Sequence, residues 1–209
     1  MNNRMKDFVD RSMTFGQYIG MIDALLAEGR TTGPDTSSVM ADYGRLNRQR
    51  MRRLENTTTL EPATIDAAQA ATRPVIWLVI TEGWCGDAAQ SVPVIEKIAA
   101  ASDVIETRYI LRDEHPQLMD MFLTNGARSI PKLIALDAGS FEVIGSWGPR
   151  PQPTADLYFK MKERGVVKPF IMENMQRWYN TDRTRSIQSE IIGLIEQNES
   201  SRVNSAAAR

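Results

Sequence analysis

Six consecutive apolar residues, Val75-Ile76-Trp77-Leu78-Val79-Ile80, lead into Thr81-Glu82-Gly83-Trp84-Cys85-Gly86-Asp87-Ala88. No other stretch restricts the fold as much. Four of the six are β-branched, and such a run fits a strand buried on both faces, as in the middle of a parallel sheet. Residues 88–100 then read as a helix whose inner stripe is Val92, Ile95 and Ala99 with the adjoining Val94 and Ile98. The chain's only cysteine thus falls at a strand-to-helix turn. The first free N–H groups of a helix and the positive end of its dipole favour an anion there. A thiolate is such an anion and is the reactive form of cysteine. The competing reading is a buried cysteine used as a small apolar filler. The neighbouring Trp84 and Gly86 at a helix start favour the reactive one.

The chain's 209 residues suffice for one domain with a full core and helical additions. A net charge of −1 gives no general bias toward nucleic acid or anionic membranes. No apolar run approaches bilayer length, and the segment Met1-Asn2-Asn3-Arg4-Met5-Lys6-Asp7 lacks the apolar stretch of a signal peptide. A single cysteine forms no internal disulfide, which removes the argument for a secreted disulfide scaffold. A cytoplasmic protein is expected, without nucleic-acid or membrane partners.

Along the chain, Thr14 opens a first helix with Gln17 completing a capping box; Phe15, Ile19, Ile22 and Leu26 recur at helical spacing before Gly29. A polar loop precedes a second helix over 41–56, with Tyr43, Leu46, Met51 and Leu54 available for packing. Its Arg45, Arg48, Arg50, Arg52 and Arg53 are read as a solvated face rather than a phosphate contact, because no aromatic platform is interleaved. Pro62 begins a third helix, which Arg73-Pro74 ends. Strands are expected at 104–111, 132–137 and 141–146, with a short helix from 116 to 123 capped by Asn125-Gly126. Helices at 154–164 and 183–197 follow. The Ile187, Ile191, Leu194 and Ile195 stripe of the last one is core-facing or partner-facing.

The order strand, helix, strand, helix, hairpin and helix over roughly residues 60–165 resembles the thioredoxin fold, an α/β class with a central mixed sheet of about four strands flanked by helices. Trp84-Cys85 at the end of a strand resembles that family's first signature. Ser129-Ile130-Pro131 resembles its second, a proline with a cis peptide bond facing the active cysteine. Trp-Cys-Gly-Asp and Ser-Ile-Pro-Lys look most like uncharacterised bacterial thioredoxin-like proteins with helical extensions. The resemblance implies an N-terminal helical extension over 1–58, a thioredoxin-like core over 59–153, C-terminal helices packed on it over 154–197 and a flexible tail over 198–209. One departure stands out: where dithiol relatives carry their second cysteine, this chain has Ala88. A lone thiol cannot resolve its own mixed disulfide.

The resemblance further implies a rim of Trp84, Cys85, Asp87, Arg112, Arg128, Ser129, Ile130, Pro131, Trp147 and Arg150 at one sheet edge. Cys85 would be the nucleophile, lying uncovered opposite the proline, and Gly86 would let the turn close and a substrate approach. The Ile130 backbone N–H and C=O would be free to pair with an extended peptide, between apolar walls from Trp84 and Trp147. Asp87 opposes thiolate formation: at about 6 Å and an effective dielectric near 20, the like-charge cost is on the order of 2–3 kcal/mol. The helix dipole returns about 0.3–1 kcal/mol. Asp87 therefore leaves Cys85 sluggish unless Arg112, Arg128 or Arg150 intervenes. The same three arginines are candidate anion ligands, for glutathione carboxylates among others, with surface salt bridges as their alternative. His115 before Pro116 reads as a turn residue, and one cysteine with one histidine falls short of a metal site.

Two functions from different classes follow. The first is a monothiol thiol–disulfide oxidoreductase, with no bound cofactor, that takes a protein disulfide or a small thiol such as glutathione. The second is a redox-inactive thioredoxin-fold module binding a peptide or partner protein. A homodimer through the terminal helices is compatible with both.

Overall fold

The computed structural model describes residues 2–207. Strands β1 (Val75–Thr81), β2 (Ile105–Leu111), β3 (Lys132–Asp137) and β4 (Val143–Trp147) form one sheet in the order β2-β1-β3-β4. β1 runs parallel to β2 and antiparallel to β3, and β3 is antiparallel to β4. Central β1 is buried along its whole length, as its unbroken apolar run requires. Val79 pairs with Tyr109 on one side and Leu133 on the other, so β1 forms the spine of the core.

Nine helices surround the sheet among the described residues: α1 (Asn2–Asp10), α2 (Phe15–Ala27), α3 (Ser38–Thr57), α4 (Pro62–Ala70), α5 (Gly86–Ala99), α6 (Pro116–Met119), α7 (Gln152–Glu163), α8 (Lys168–Asp182) and α9 (Arg185–Ala207). α2 begins with the Thr14–Gln17 capping box, and Gly29 at φ 74 follows its end. α5 crosses from β1 to β2 and packs against α3, α4 and α9. Val92, Val94, Ile95, Ile98 and Ala99 are all buried there, so the expected stripe is one part of a helix enclosed on most sides. Between α1 and α2, Met13 exchanges two hydrogen bonds of 2.8 Å with Tyr109 on the outer side of β2.

Several sequence expectations need correction. α1 was not expected, nor was α8, where 154–164 and 183–197 were to be the only helices after the sheet. Tyr43 and Leu46 of α3 are exposed rather than packed, while Met51 and Leu54 are buried. Asn125 (φ 50) and Gly126 (φ 76) form a tight turn between Thr124 and Ala127 instead of capping a helix. β4 starts two residues late because Phe141 stands at φ 57, with Gly139 and Ser140 donating to Asp137 Oδ1 to close the turn. α9 runs on to Ala207 where a flexible tail was expected from 198, and Asn198 is buried; residues 208–209 of that tail lie outside the described residues. Ile187, Ile191, Leu194 and Ile195 are buried in the core, and α9 packs on β4, α4 and α5, so the stripe faces this chain itself.

Candidate functional site

β1 ends at Thr81, and the chain turns through Glu82, Gly83 and Trp84, with the Cys85 N–H donating to the Glu82 carbonyl at 3.1 Å. Cys85 is the N-cap of α5, in extended conformation (φ −81, ψ 119). Its thiol donates to the Ile130 carbonyl oxygen at 3.3 Å, and the Ile130–Pro131 peptide bond is cis. Strand and helix therefore bring the Cys85 sulfur up to the Ile130–Pro131 bond. The expectation of an uncovered sulfur is corrected: Cys85 is only 8% exposed and belongs to the hydrophobic core. The Ile130 C=O thus already accepts one hydrogen bond, from the Cys85 thiol. Burial, and secondarily Asp87, push the thiol up to about 12. The backbone N–H groups of Ala88 and Asp87 and the charge of Arg150 pull it down, and desolvation outweighs them.

Asp87 is held in a small buried network. Its Oδ2 lies 2.7 Å from Arg150 Nη2, the two side chains being 10% and 15% exposed. Its Oδ1 accepts from the Tyr179 hydroxyl at 2.8 Å. The Arg150 guanidinium lies 4.8 Å from the centroid of the Tyr158 ring, and its Nε is buried without a hydrogen-bond partner. Burial raises the Asp87 carboxyl above the usual carboxylate range, against the pull of Arg150 and Tyr179. Arg150 pairs with Asp87, yet Asp87 still raises the thiol and loss of water raises it more.

The turn before Cys85 is clasped by residues from the N-terminal half. Asn47 Nδ2 of α3 donates to the Gly83 carbonyl at 3.3 Å, and the Gly83 N–H donates to Thr32 Oγ1 at 2.9 Å. Glu82 is fully buried and accepts the Asp113 N–H at 2.9 Å. Arg50 donates to Asn47 Oδ1 at 2.8 Å. A Cβ at Gly86 would lie 3.4 Å from Gln176 Nε2 and 3.8 Å from Arg50 Nη1, ordinary van der Waals distances. Gly86 is thus not demanded by space. The glycine that is required is Gly33, at φ 85, where a Cβ would meet Asp113 Oδ2 at 2.9 Å and Trp84 Nε1 at 3.0 Å.

Of the remaining rim residues, Arg112 lies over the half-buried Trp84 ring, 4.7 Å from its centroid, and donates to Asp113 Oδ1 at 2.8 Å. Arg128 makes a bidentate pair with Asp120 at 2.7 and 2.8 Å. All three candidate anion-binding arginines therefore already face a carboxylate. Trp147 is no groove wall: it is buried and its Nε1 donates to Glu190 Oε2 of α9 at 2.6 Å. Ile130 and Pro131 are buried and Ser129 is half-buried; Ala88 is fully buried at the second-cysteine position. His115 packs edge-on against Phe8, 6.0 Å between centroids, and burial pulls its imidazole down. Among the described residues no three His, Cys, Asp or Glu side chains are grouped to hold a metal ion, and no helix is long and apolar enough to cross a membrane.

Sequence reasoning missed Tyr179 and Gln176 because it missed α8. The four-residue spacing of Ile171, Met175 and Tyr179, all buried, was the available signal. Nothing in the sequence distinguished Arg50 and Asn47 from their neighbours on α3.

A family model described as Thioredoxin matches residues 33–163. No curated protein matches the chain. Among solved structures, an HIV epitope-scaffold is similar with a TM-score of 0.59 and 18% identity, covering 91% of this chain and 96% of its own. A protein of unknown function from Pseudomonas aeruginosa is similar with a TM-score of 0.51 and 16% identity, covering 88% and 98%. At such identities these two structures speak for the fold alone.

Proposed function

Since the chain belongs to the thioredoxin family, we propose that it is a monothiol thiol–disulfide exchange protein with Cys85 as nucleophile. One observation carries the reading: the Cys85 sulfur stands at the N-terminus of α5 against the Ile130–Pro131 bond. In the forward step the Cys85 thiolate attacks one sulfur of a disulfide R–S–S–R′. The Cys85–S–R bond forms, and R′ leaves as a thiolate that takes up a proton. A thiolate from solution, of the glutathione class, then attacks the sulfur of R. It forms a new disulfide with R and returns Cys85 to its thiolate. Per cycle, R–S–S–R′ and one external thiol become R′–SH and the mixed disulfide of R with that thiol. A second external thiol, attacking the mixed disulfide, releases R–SH and leaves the oxidised disulfide of the external thiol, which completes the two-electron reduction with no cofactor needed. Such a cycle requires a compartment supplying reduced thiols, for which we propose the cytoplasm.

The resting thiol limits the rate. With the group at about 12, the thiolate fraction at pH 7 is on the order of 10⁻⁵. Alkylation by iodoacetamide is expected to quicken about tenfold per pH unit from 7 to 10 without levelling off. Turnover of a glutathionylated peptide with glutathione should follow the same slope. A plateau below pH 8 contradicts the buried-thiol account. Alkylation without peptide turnover at any pH defeats the exchange reading and leaves the second one, a redox-inactive binding module. The raised thiol is the observation that favours that second reading.

A further inference from the structure

Around the Cys85 turn, the arginines of the rim have carboxylate partners: Arg112 with Asp113, Arg128 with Asp120 and Arg150 with Asp87. On α3, Arg45 pairs with Asp42, and Arg48 with Asp23 and Glu55. Arg50 differs. It is half-buried and has no ion pair among the described residues; its one hydrogen bond there goes to the neutral Asn47 Oδ1, at 2.8 Å. Burial and the like charge of Arg53 both work against its guanidinium. A guanidinium has five N–H donors and accepts nothing, so most of its donor capacity is uncommitted.

Its position is held from behind. Asn47 Nδ2 is tied to the Gly83 carbonyl, which turns Asn47 Oδ1 toward Arg50. Across the turn, Gln176 Oε1 accepts from the buried Gln90 Nε2 at 2.8 Å, and no hydrogen bond among the described residues uses the Gln176 Nε2 donors. These two arms converge on Gly86, the residue after the nucleophile, at 3.4 and 3.8 Å from where a Cβ would stand. A cation and an amide N–H thus flank Gly86, with donors on both sides. That pattern suits a carboxylate, which is acceptor-only when ionised.

We propose that Arg50 and Gln176 form a carboxylate subsite beside Cys85, which selects low-molecular-weight disulfides bearing a carboxylate. This rests on the exchange reading for its catalytic consequence, but binding is measurable without it. The test compares wild type with Arg50→Gln and Arg50→Lys on glutathione disulfide and on the uncharged 2-hydroxyethyl disulfide. Arg50→Gln is expected to lower kcat/KM for glutathione disulfide about ten- to a hundredfold, the range for a lost charged hydrogen bond. That loss should appear mainly in KM, with Arg50→Lys restoring part of it. The uncharged disulfide and the pH dependence of alkylation should not change. An equal loss on both disulfides means a structural role and overturns the proposal. If wild type turns over neither disulfide, exchange fails and the subsite is judged by calorimetry with S-methylglutathione on Cys85→Ser. Binding that Arg50→Gln weakens at least tenfold sustains the subsite; no binding, or binding indifferent to Arg50→Gln, overturns it.

Discussion

At the scale of single residues, the buried thiol of Cys85 and the buried carboxylate of Asp87 each lend themselves to a direct test. The Cys85 proton is kept by the folded chain up to about 12, whereas an unfolded chain gives it up near 9.0. Above pH 9 the unfolded state therefore binds fewer protons, and stability falls as pH rises toward 12. Denaturant titrations at pH 8.5 and 10.5 should show a wild-type loss exceeding that of Cys85→Ala by about 1–2 kcal/mol. Equal losses would place the thiol in water. Asp87 offers a second test: Asp87→Ala leaves Arg150 buried without its carboxylate and is expected to cost about 3–5 kcal/mol in chemical denaturation. Gly86→Ala should instead leave the fold intact and stabilise it by about 0.4–1 kcal/mol, since the site has ordinary room for a methyl group. The sequence expectation that Gly86 serves the turn ran the other way. A motif shows which residues are adjacent, but not how much space surrounds them.

At the scale of elements, legibility followed hydrophobic pattern. β1 and α5 were readable because an unbroken apolar run and a glycine-bracketed turn leave few alternatives, and β3 matched residue for residue. α8 was not, because its buried face is only Ile171, Met175 and Tyr179, a stripe one residue wide that the adjoining apolar Phe170, Met172 and Trp178 blur. Yet α8 supplies the hydroxyl that holds Asp87 and the amide beside Gly86. Tyr179→Phe is expected to destabilise by about 1.5–3 kcal/mol, as for a hydrogen bond to a charged group, measured by thermal melting or urea titration. A change below about 0.5 kcal/mol would mean that the hydroxyl is not holding the carboxylate. The sluggish thiol was foreseen from Asp87; its larger cause, burial, depends on β3 and the Ile130 carbonyl, which no local spacing reveals.

For the whole molecule, α9 is part of the core rather than an appendage. Ile187, Ile191, Leu194 and Ile195 are buried in it, and a Cβ on Gly145 of β4 would come within 2.6 Å of Leu194 Cδ1. Four such side chains contribute about 6–12 kcal/mol, at about 1.5–3 each. That is comparable to the entire stability of an ordinary domain, about 5–15 kcal/mol. A chain ending at residue 184 is therefore expected to show no cooperative unfolding transition; a sharp transition would make α9 dispensable. The Met13–Tyr109 pair has a different bearing. By occupying both main-chain groups of Tyr109, it stoppers the outer margin of β2, where an unguarded ladder would invite a stranger's backbone to zip on. Cross-β growth from that margin must first peel away the chain's own leading segment.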